Sequence, residues 1–423
     1  MQTNFIIEIL GIKDENINLL KHYKKSIDGV KHHVFELKRE KSPHVCPICG
    51  KKTNAIHDYY KRKIKHIPIA GYNSIIIFHQ RRYRCSCGKR FNEENLFVGK
   101  GNKISNTNKL FIMKEMKYKQ SFTDIAKRLN ISISTVIRHF TNHFISKRVK
   151  LPEVLCIDEF RGTTDKSKYS FIMVNHDTGE IIDLLSSRKK KKLLKYFRSI
   201  PLEERENVQY VIMDLWIHYK DVVKEVFPNA TIIADTFHFI RHVYWAFNSV
   251  RTRIMNDSNG DDYYLLKKYW KSLIKRYDKL SNKIYYSRKF KKPVDQKEIV
   301  DMCLNISPEL NIAHILKEEL FKIVKTSTKD NIYEDLNTWI IKANQSNIPE
   351  FQEAVKPFIN WNEEIQNSFL INPKTKKKYS NGKIEGINNF VKTIKRISFG
   401  FKSFKLYKAK IIYNYSNKLI LNN

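Results

Sequence analysis

The chain has 423 residues, of which 42% are hydrophobic and 12% aromatic, and its formal net charge at pH 7 is +35. This much apolar and aromatic material excludes an intrinsically disordered chain and predicts two or three domains with cores of their own. The positive charge is spread over the whole length and favours a nucleic-acid partner over a generic basic protein, because each phosphate that a protein neutralises releases condensed counterions.

The sequence has neither a signal-peptide pattern nor an apolar stretch of the ~18 to 20 residues that span a bilayer. We therefore expect a cytoplasmic protein without a membrane partner. Thiols stay reduced in that compartment, so the six cysteines do not predict disulfides.

The first hundred residues contain two structural signals besides their cysteines. Residues 1–40 begin with a helical pattern and continue into a strand-like run around Val34–Leu37. A second β-rich stretch covers Tyr72–Arg84, with four consecutive apolar residues at its centre. These patterns predict a small mixed domain.

Four cysteines form two close pairs, each followed by glycine. The segments are Cys46-Pro47-Ile48-Cys49-Gly50 and Cys85-Ser86-Cys87-Gly88. Tetrahedral Zn²⁺ needs four ligands that converge on one point, and a cysteine pair on a tight turn supplies two of them. The pattern predicts one structural Zn²⁺ held by Cys46, Cys49, Cys85 and Cys87. Metal-free thiols are the alternative, and His44 or His57 is an alternative ligand because the second pair is C-x-C.

Residues 121–144 have the pattern of two short helices joined by a turn. Ser121-Phe122-Thr123-Asp124 has the Ser-x-x-acid form of a helix N-terminus, and an apolar stripe follows at helical spacing. After the turn Asn130-Ile131-Ser132, a second helix is expected to direct Ile133, Val136, Ile137 and Phe140 inwards. The alternative is an ordinary α-hairpin in a core, but the cap, the short turn and the polar outer face favour a DNA-reading helix-turn-helix. The expected DNA contacts are Ser134, Thr135, Arg138, His139 and Asn142.

Five strand-like runs follow residue 150. They are Leu155–Phe160, Tyr169–Asn175, Glu180–Leu185, Val208–Met213 and Thr231–Ala234. A hairpin turn at residues 176–179 joins the second and third runs, and a helix around Tyr219–Phe227 leads into the last. Three antiparallel strands followed by alternating helices and strands predict a ribonuclease H-like domain.

Asp158 follows the apolar residues at the start of the first run, and Asp214 and Asp235 directly follow the fourth and fifth runs. A later helix contributes Glu385, within the segment Asn381–Asn389. A single Asp at a strand end is more often a turn former than a ligand. Several such acids in one architecture predict a site for two divalent cations such as Mg²⁺, about 3.5–4 Å apart at a phosphodiester.

The region Tyr244–Gln366 is dominated by helical patterns, and three of its four tryptophans, Trp245, Trp270 and Trp339, are expected in its core. Contact with a flipped or distorted DNA end is the alternative for these three. The last helix is expected to bury a stripe formed by Ile384, Ile387, Val391 and Ile394. On its opposite face we expect Glu385 and four DNA contacts, Asn388, Asn389, Lys392 and Arg396.

These motifs together resemble the ISL-three group of insertion-sequence transposases, bacterial DDE transposases of the ribonuclease H-like superfamily. The resemblance covers nearly the whole chain. It is carried by the cysteine ribbon, the helix-turn-helix, Ile157–Phe160, Met213–Trp216, Ala234–His238 and Asn381–Asn389. The resemblance implies nicking at terminal inverted repeats and strand transfer by the freed 3′-hydroxyl, with Mg²⁺ or Mn²⁺. The C-x-C pair departs from the family's ribbon.

The resemblance also implies the roles of the acids. Asp158 is the first ligand and Glu385 the last, while Asp214 and Asp235 both compete for the second position. Related transposases carry a Cys-or-Asp, two residues, His signature about twenty residues after the second acid, and Asp235–His238 fits it. We therefore assign Asp214 as the ligand, and Asp235 and His238 as groups that support the ligands or position the substrate. A core histidine is the alternative for His238.

The expected fold class is a multidomain combination of α+β and α/β parts. The domains are residues 1–100 with a zinc ribbon at about 41–95, residues 101–150 with the helix-turn-helix, residues 151–243 with the first part of the ribonuclease H-like core, residues 244–370 with a helical insertion, and residues 371–423 with the last helix and a basic tail. The expected partner is double-stranded DNA, bound by a homodimer or larger assembly in the bacterial nucleoid. A transposase-derived regulator and a nuclease without joining activity are the alternatives.

Overall fold

A computed structural model of the protein describes residues 2–144, 148–162 and 167–421. The chain divides into two compact units. One comprises Met1–Lys147 together with Phe390–Asn423, and the other comprises Arg148–Asn389. Within the described ranges, no helix is both long and apolar enough to cross a membrane.

The N-terminal part of the first unit contains a five-stranded sheet followed by three short helices. Its elements are α1 (Gln2–Ile9), β1 (Ile17–Ile27), β2 (Val30–Arg39), β3 (His44–Val45), β4 (Lys52–Thr53), β5 (Ile56–Ile69), β6 (Tyr72–Arg84), β7 (Arg90–Asn92), α2 (Asn106–Glu115), α3 (Phe122–Arg128) and α4 (Ile133–His143). The sheet order is β1-β2-β6-β5, with β7 also paired to β6. β2 and β6 are parallel, and the other pairs are antiparallel.

The predicted strand at Tyr72–Arg84 coincides with β6, but the prediction for residues 1–40 missed β1. Most side chains of β1 are exposed, including Lys21, Lys24 and Lys25. An edge strand that buries so little has no apolar alternation for sequence analysis to detect. It is fixed instead by its antiparallel pairing with β2.

Helices α3 and α4 are joined by a short turn. Ser121 caps α3, and its hydroxyl accepts a 3.1 Å bond from the backbone N–H of Asp124, whose side chain accepts in return from the backbone of Ser121. The turn contains Asn130 at φ 51° and the buried Ile131. The prediction that Ile133 points inwards is wrong, because this first residue of α4 is 43% exposed. Burial begins one turn later, at Val136.

The second unit and the C-terminal residues contain the remaining elements. They are β8 (Val154–Arg161), β9 (Tyr169–Asn175), β10 (Ile181–Leu185), α5 (Lys190–Arg198), α6 (Leu202–Glu206), β11 (Tyr210–Met213), α7 (Ile217–Val226), β12 (Thr231–Ala234), α8 (Thr236–Asp257), α9 (Gly260–Lys268), α10 (Trp270–Ile274), β13 (Tyr285–Ser287), β14 (Lys292–Val294), α11 (Gln296–Leu304), α12 (Pro308–Thr326), α13 (Ile332–Gln345), α14 (Pro349–Asn360), α15 (Asn362–Asn367), α16 (Gly382–Ile397) and α17 (Phe404–Leu421). A short antiparallel pair, β13–β14, interrupts the run of helices.

The sheet of the second unit has the order β10-β9-β8-β11-β12. β8, β9 and β10 are antiparallel neighbours, whereas β8, β11 and β12 run parallel. The strands are almost wholly apolar where they cross the core, and helices α5 and α7 pack on them through Phe171, Phe197 and Tyr219. The carboxyl ends of β8, β11 and β12 therefore lie at one edge of the sheet.

The three tryptophans predicted to lie in the core of the helical region do not share one environment. Trp339 is 1% exposed, and its indole N–H donates to the carbonyl oxygen of Leu316 at 2.8 Å. Trp245 is 55% exposed and Trp270 is 41% exposed, so the prediction of core positions is wrong for both. On α8 the core face is formed by other residues, including Val243.

The last predicted helix is α16. Its apolar stripe is buried as expected, at Ile384, Ile387, Val391 and Ile394. The opposite face differs from the prediction at one position, because Asn388 is only 7% exposed, whereas Glu385, Asn389, Lys392 and Arg396 are exposed. The position directly after Ile387 lies at the border of the stripe, where packing decides whether a polar side chain is covered.

Candidate zinc and active sites

The four predicted zinc ligands converge. The thiol sulfurs of Cys46, Cys49, Cys85 and Cys87 all lie within 4.8 Å of one another. Two sulfur pairs are 3.6 and 3.5 Å apart, close to the ~3.8 Å that tetrahedral geometry with Zn–S bonds of about 2.3 Å requires. The glycine after each pair adopts a positive φ, 71° and 85°, which allows the tight turn. The two turns therefore fit a zinc ion.

His44 does not belong to this group of sulfurs. Its buried ring stacks on Tyr83 at 4.5 Å, and its Nδ1 lies 2.9 Å from the carbonyl oxygen of Ser42. Among the described residues, the cysteines are thus the donors that come together. The backbone N–H of Cys87 lowers the pKa of Cys85 to about 6, which favours the thiolate form that binds metal.

Three predicted acids lie in or directly after neighbouring strands, towards their carboxyl ends. Asp158 is on β8, while Asp214 and Asp235 directly follow β11 and β12. Met213 pairs with Ala234, so the next residues on the two strands, Asp214 and Asp235, are level with each other. The parallel pairing of β8 with β11 aligns Asp158 with Asp214 in the same way. Residues far apart in sequence are thus side by side.

Asp158 is held by two hydrogen bonds. Its Oδ1 accepts from the backbone N–H of Glu159 at 2.6 Å, and its Oδ2 accepts from the side-chain amide of Asn388 at 2.6 Å. Burial and the nearby charge of Asp214 raise the pKa of Asp158 to about 7. The negative charge of the ionised carboxylate is therefore poorly compensated by its surroundings, and a bound cation would compensate it.

Asp214, Asp235 and His238 form one compact group whose ligand atoms lie within 4.8 Å of one another. Nε2 of His238 is 2.9 Å from Oδ1 of Asp214 and 3.7 Å from Oδ2 of Asp235. Burial lowers the pKa of His238, but the contact with Asp214 and the charges of both acids outweigh it, so the pKa is raised. Burial also raises the pKa of Asp235, to about 6.

Glu385 lies in the first turn of α16 and is exposed, outside that compact group. Its negative charge nevertheless contributes to the raised pKa of Asp235, whereas a backbone hydrogen bond from Asn381 opposes the rise. The structure thus brings the beginning of α16 to the sheet edge that carries the three aspartates.

The predicted DNA-contacting residues of α4 lie on its outer face. Ser134, Arg138 and Asn142 are exposed, and Thr135 and His139 are partly exposed. The hydroxyl of Ser132 lies 3.0 Å from that of Ser134 and 2.8 Å from that of Thr135. Burial lowers the pKa of His139 to about 4, so its imidazole is neutral at pH 7.

Sequence analysis missed a row of side chains on α8 beside the acids. Nη2 of Arg241 lies 3.2 Å from Nδ1 of His238. The same guanidinium stacks over Trp245 at 4.7 Å and approaches Phe237 at 5.9 Å. The spacing of four residues from Phe237 to Arg241 to Trp245 is a helical signal that would have indicated this row.

Comparisons with known proteins identify the class to which this fold and these sites belong. The ISL3 family model, described as "Transposase", matches residues 155–411. The model described as "zinc-finger of transposase IS204/IS1001/IS1096/IS1165" matches residues 42–87. Because the first match covers more than half of the chain, the protein belongs to the ISL3 family of transposases.

Individual relatives are more distant. The transposase for insertion sequence element IS1001 of Bordetella parapertussis is 20% identical over 378 residues, which are 87% of each chain. The transposase for IS1557 of Mycobacterium tuberculosis is 24% identical over 247 residues, 56% of this chain and 54% of that protein. A Lactococcus lactis protein named "ATP-dependent protease" is 32% identical over 127 residues, only 30% of this chain and 37% of that protein.

The family and the geometry agree on the coarse function. The chain is an insertion-sequence transposase, a family of DNA-processing enzymes, and both matched families imply DNA binding. The zinc-ribbon match and the four converging cysteines indicate structural zinc.

Proposed function

We propose that the protein binds the terminal inverted repeats of an insertion sequence and catalyses metal-dependent strand cleavage and 3′-hydroxyl strand transfer. The observation that carries the proposal is the side-by-side position of Asp158 in β8, Asp214 directly after β11 and Asp235 directly after β12, on three adjacent strands. Partly buried acids in that arrangement repel one another and attract divalent cations.

The topology supports a ribonuclease H-like catalytic domain. Its strand order is β10-β9-β8-β11-β12, so the first strand in the chain, β8, lies at the centre of the sheet. The hairpin partners β9 and β10 lie on one side of β8, and the parallel strands β11 and β12 lie on the other. The capped pair α3–α4 supports a helix-turn-helix whose second helix presents Arg138 and Asn142 to DNA. In this proposal the zinc ribbon and these helices bind the DNA end.

In this proposal Asp158, Asp214 and Glu385 hold the catalytic cations. Two of these side chains are partly buried, and Glu385 is exposed at the start of α16. Oxygen donors are the ligands that Mg²⁺ and Mn²⁺ prefer. Bound there, the cations would activate the attacking oxygen and stabilise the leaving one. Asn388 keeps the carboxylate of Asp158 in one orientation.

Asp235 and His238 have a supporting role. A guanidinium only donates hydrogen bonds, so Nδ1 of His238 accepts from Arg241 and Nε2 carries the proton that faces Asp214. His238 thereby orients the second acid, much as a hydrogen-bonded partner orients a metal ligand. Asp235, whose pKa burial raises to about 6, supports His238 from the other side.

The test uses purified full-length protein, a labelled end fragment read from the DNA that flanks the gene, a supercoiled plasmid and Mg²⁺. We expect the wild type to join ends to the plasmid, and Asp158→Asn, Asp214→Asn and Glu385→Gln to lose this activity. Asp235→Asn should retain measurable joining. Glu180→Gln is the matched control, because this exposed acid lies in the β9–β10 turn at the opposite edge of the sheet.

Each other outcome has a separate meaning. Joining by Asp214→Asn but not by Asp235→Asn would reverse the two assignments without affecting the function. Binding of the ends without cleavage would indicate a regulator, and cleavage without joining would indicate a nuclease. We also propose assembly on paired ends, which sedimentation with end DNA measures.

A further inference from the structure

A recess lies at the sheet edge that carries the acids. It encloses about 570 Å³ and is lined by basic and aromatic side chains, namely Lys168, Tyr169, Arg188, Lys189, Trp216 and His218. Because β8 and β10 are both antiparallel to β9, the end of β10, the beginning of β9 and the end of β11 all meet at this edge. The lining residues come from these three places.

Arg188 is fixed between two aromatic rings. Its guanidinium carbon lies 4.3 Å from the ring centre of Tyr169 and 4.3 Å from that of Trp216. It also forms an ion pair with Glu159. Stacking on both faces and pairing at one end leave the guanidinium little freedom, so its positive charge has a defined position in the recess.

The neighbouring lysines add charge that the recess itself does not neutralise. Lys168 and Lys189 are exposed, and no ion pair with an acid involves either of them in the described part of the chain. Lys190 does have an acidic partner, Asp221, at 2.9 Å. Lys168 lies over the ring of Tyr169 at 5.6 Å, but neither lysine has an acidic partner in the described ranges. A purely structural cation–π stack would need Arg188 and the two rings, but it would not need two further lysines at the same recess.

The recess is directly connected to the acids. Glu159, which pairs with Arg188, follows Asp158 in β8. The backbone N–H of Trp216 donates to the carbonyl oxygen of Asp214 at 2.7 Å. Movement of the recess would therefore disturb the strand ends that carry two of the proposed ligands.

From these observations we infer that the recess binds a backbone phosphate of the DNA strand next to the phosphate that is cut. The inference rests on the proposed function and names a substrate contact for it. Arg188 offers fixed donors to the phosphate oxygens, while Lys168 and Lys189 supply charge that adapts to the strand. The contact has no base specificity, and it positions the strand relative to the acids.

The first test measures how binding depends on salt. Full-length wild type and a Lys168→Ala/Lys189→Ala variant are titrated with end DNA over a range of KCl concentrations, without Mg²⁺ so that no cleavage occurs. Loss of one phosphate contact should reduce the slope of log K against log salt by about 1. The matched control is Lys224→Ala/Lys322→Ala, which removes two exposed lysines of the same unit outside the recess.

The second test locates the phosphate. Neutral methylphosphonate linkages are introduced one at a time beside the cleavage site, and cleavage with Mg²⁺ is measured. We expect one linkage that slows the wild type and the control variant but has little further effect on Lys168→Ala/Lys189→Ala. Trp216→Leu, which keeps the lysines but frees Arg188, should show a partial loss of sensitivity at the same linkage.

The possible failures are distinguishable. If the wild type cuts its ends but the recess variant matches the lysine control in salt slope and linkage sensitivity, the inference is wrong and the proposed function stands. If the wild type neither binds nor cuts the end fragment, the proposed function fails, and the inference fails with it.

Discussion

The side-chain amide of Asn388 donates a 2.6 Å hydrogen bond to Oδ2 of Asp158 and lies 3.4 Å from the carbonyl oxygen of Glu159. This bond connects α16 to β8. Glu385 lies one turn before Asn388 on the same helix. The helix that carries one proposed ligand is thus attached to the strand that carries another, which fixes their separation.

Replacement of Asn388 by alanine should reduce cleavage by about 10- to 100-fold, because groups that orient a metal ligand contribute about that much. The loss should be largest at low Mg²⁺ and smaller at saturating Mg²⁺. A cleavage titration with Mg²⁺ measures the effect, and thermal unfolding of the variant controls for misfolding. Equal activity at every Mg²⁺ concentration would show that the bond has no role in catalysis.

The raised pKa of Asp158 predicts a pH-dependent effect on stability. Burial and Asp214 raise this pKa to about 7 in the folded, metal-free protein, above the ~3.9 of an unfolded chain. At low pH Asp158 is protonated in both the folded and the unfolded state, so it does not destabilise the fold. Its destabilising effect develops as the pH rises from about 4 to about 7, where the unfolded chain has lost this proton and the folded protein still holds it. Asp158→Asn should therefore raise the Tm of the metal-free protein more at pH 8 than at pH 5.

The same titration links metal binding to pH. Mg²⁺ should raise the Tm of the wild type more at pH 8 than at pH 5, because the ligand carboxylates must be deprotonated. Asp158→Asn should reduce this difference. Thermal scans at both pH values with and without Mg²⁺ provide the measurement. An identical Mg²⁺ effect on the Tm at pH 5 and pH 8 would refute the link between Mg²⁺ binding and deprotonation of the acids.

Removal of a zinc ligand should destabilise the N-terminal unit. Cys85→Ala should purify without the single zinc ion per chain that we expect in the wild type, because three thiolates leave the tetrahedral site incomplete. Elemental analysis of the full chain measures this. Cys303→Ala is the control, since Cys303 is a buried cysteine outside the group of four, and it should retain one zinc ion.

The proposed reading helix predicts a selective loss of DNA affinity. Arg138→Ala should weaken binding to the end fragment by about 1–3 kcal/mol if the side chain contacts a base edge, and should reduce discrimination against unrelated DNA. Lys127→Ala, an exposed residue on α3, is the control. Competition binding with end and random duplexes distinguishes a loss of specific affinity from a loss of nonspecific affinity. Equal losses for Arg138→Ala and Lys127→Ala would contradict the base-reading role of Arg138.

Trp339 and Trp245 are predicted to contribute very different amounts to stability. Trp339 is buried and hydrogen-bonded, so Trp339→Ala should reduce the free energy of unfolding by about 3–5 kcal/mol. Trp245→Ala removes a side chain that is 55% exposed and should change it by less than about 1 kcal/mol. Urea unfolding curves measure both. A large loss at Trp245 would mean that its stacking on Arg241 contributes substantially to the fold.

Much of the site was predictable because strands that cross a core are apolar, and a polar residue directly after them is conspicuous. This signal correctly located β12 at Thr231–Ala234 and the hairpin turn between β9 and β10. It could not reveal β1, whose exposed side chains have no apolar alternation. The assignment of catalytic and DNA-contacting roles stays a prediction.

The cysteine pairs, the cap at Ser121 and the acids that follow apolar runs are recognisable from the amino-acid sequence alone, since they depend on neighbouring residues and on local periodicity. The burial of Asn388 against Asp158 and the position of Arg188 between Tyr169 and Trp216 are visible only in the folded protein. These contacts join residues from separate elements. Their formation depends on how the strands are ordered and how the helices pack, which no local pattern specifies.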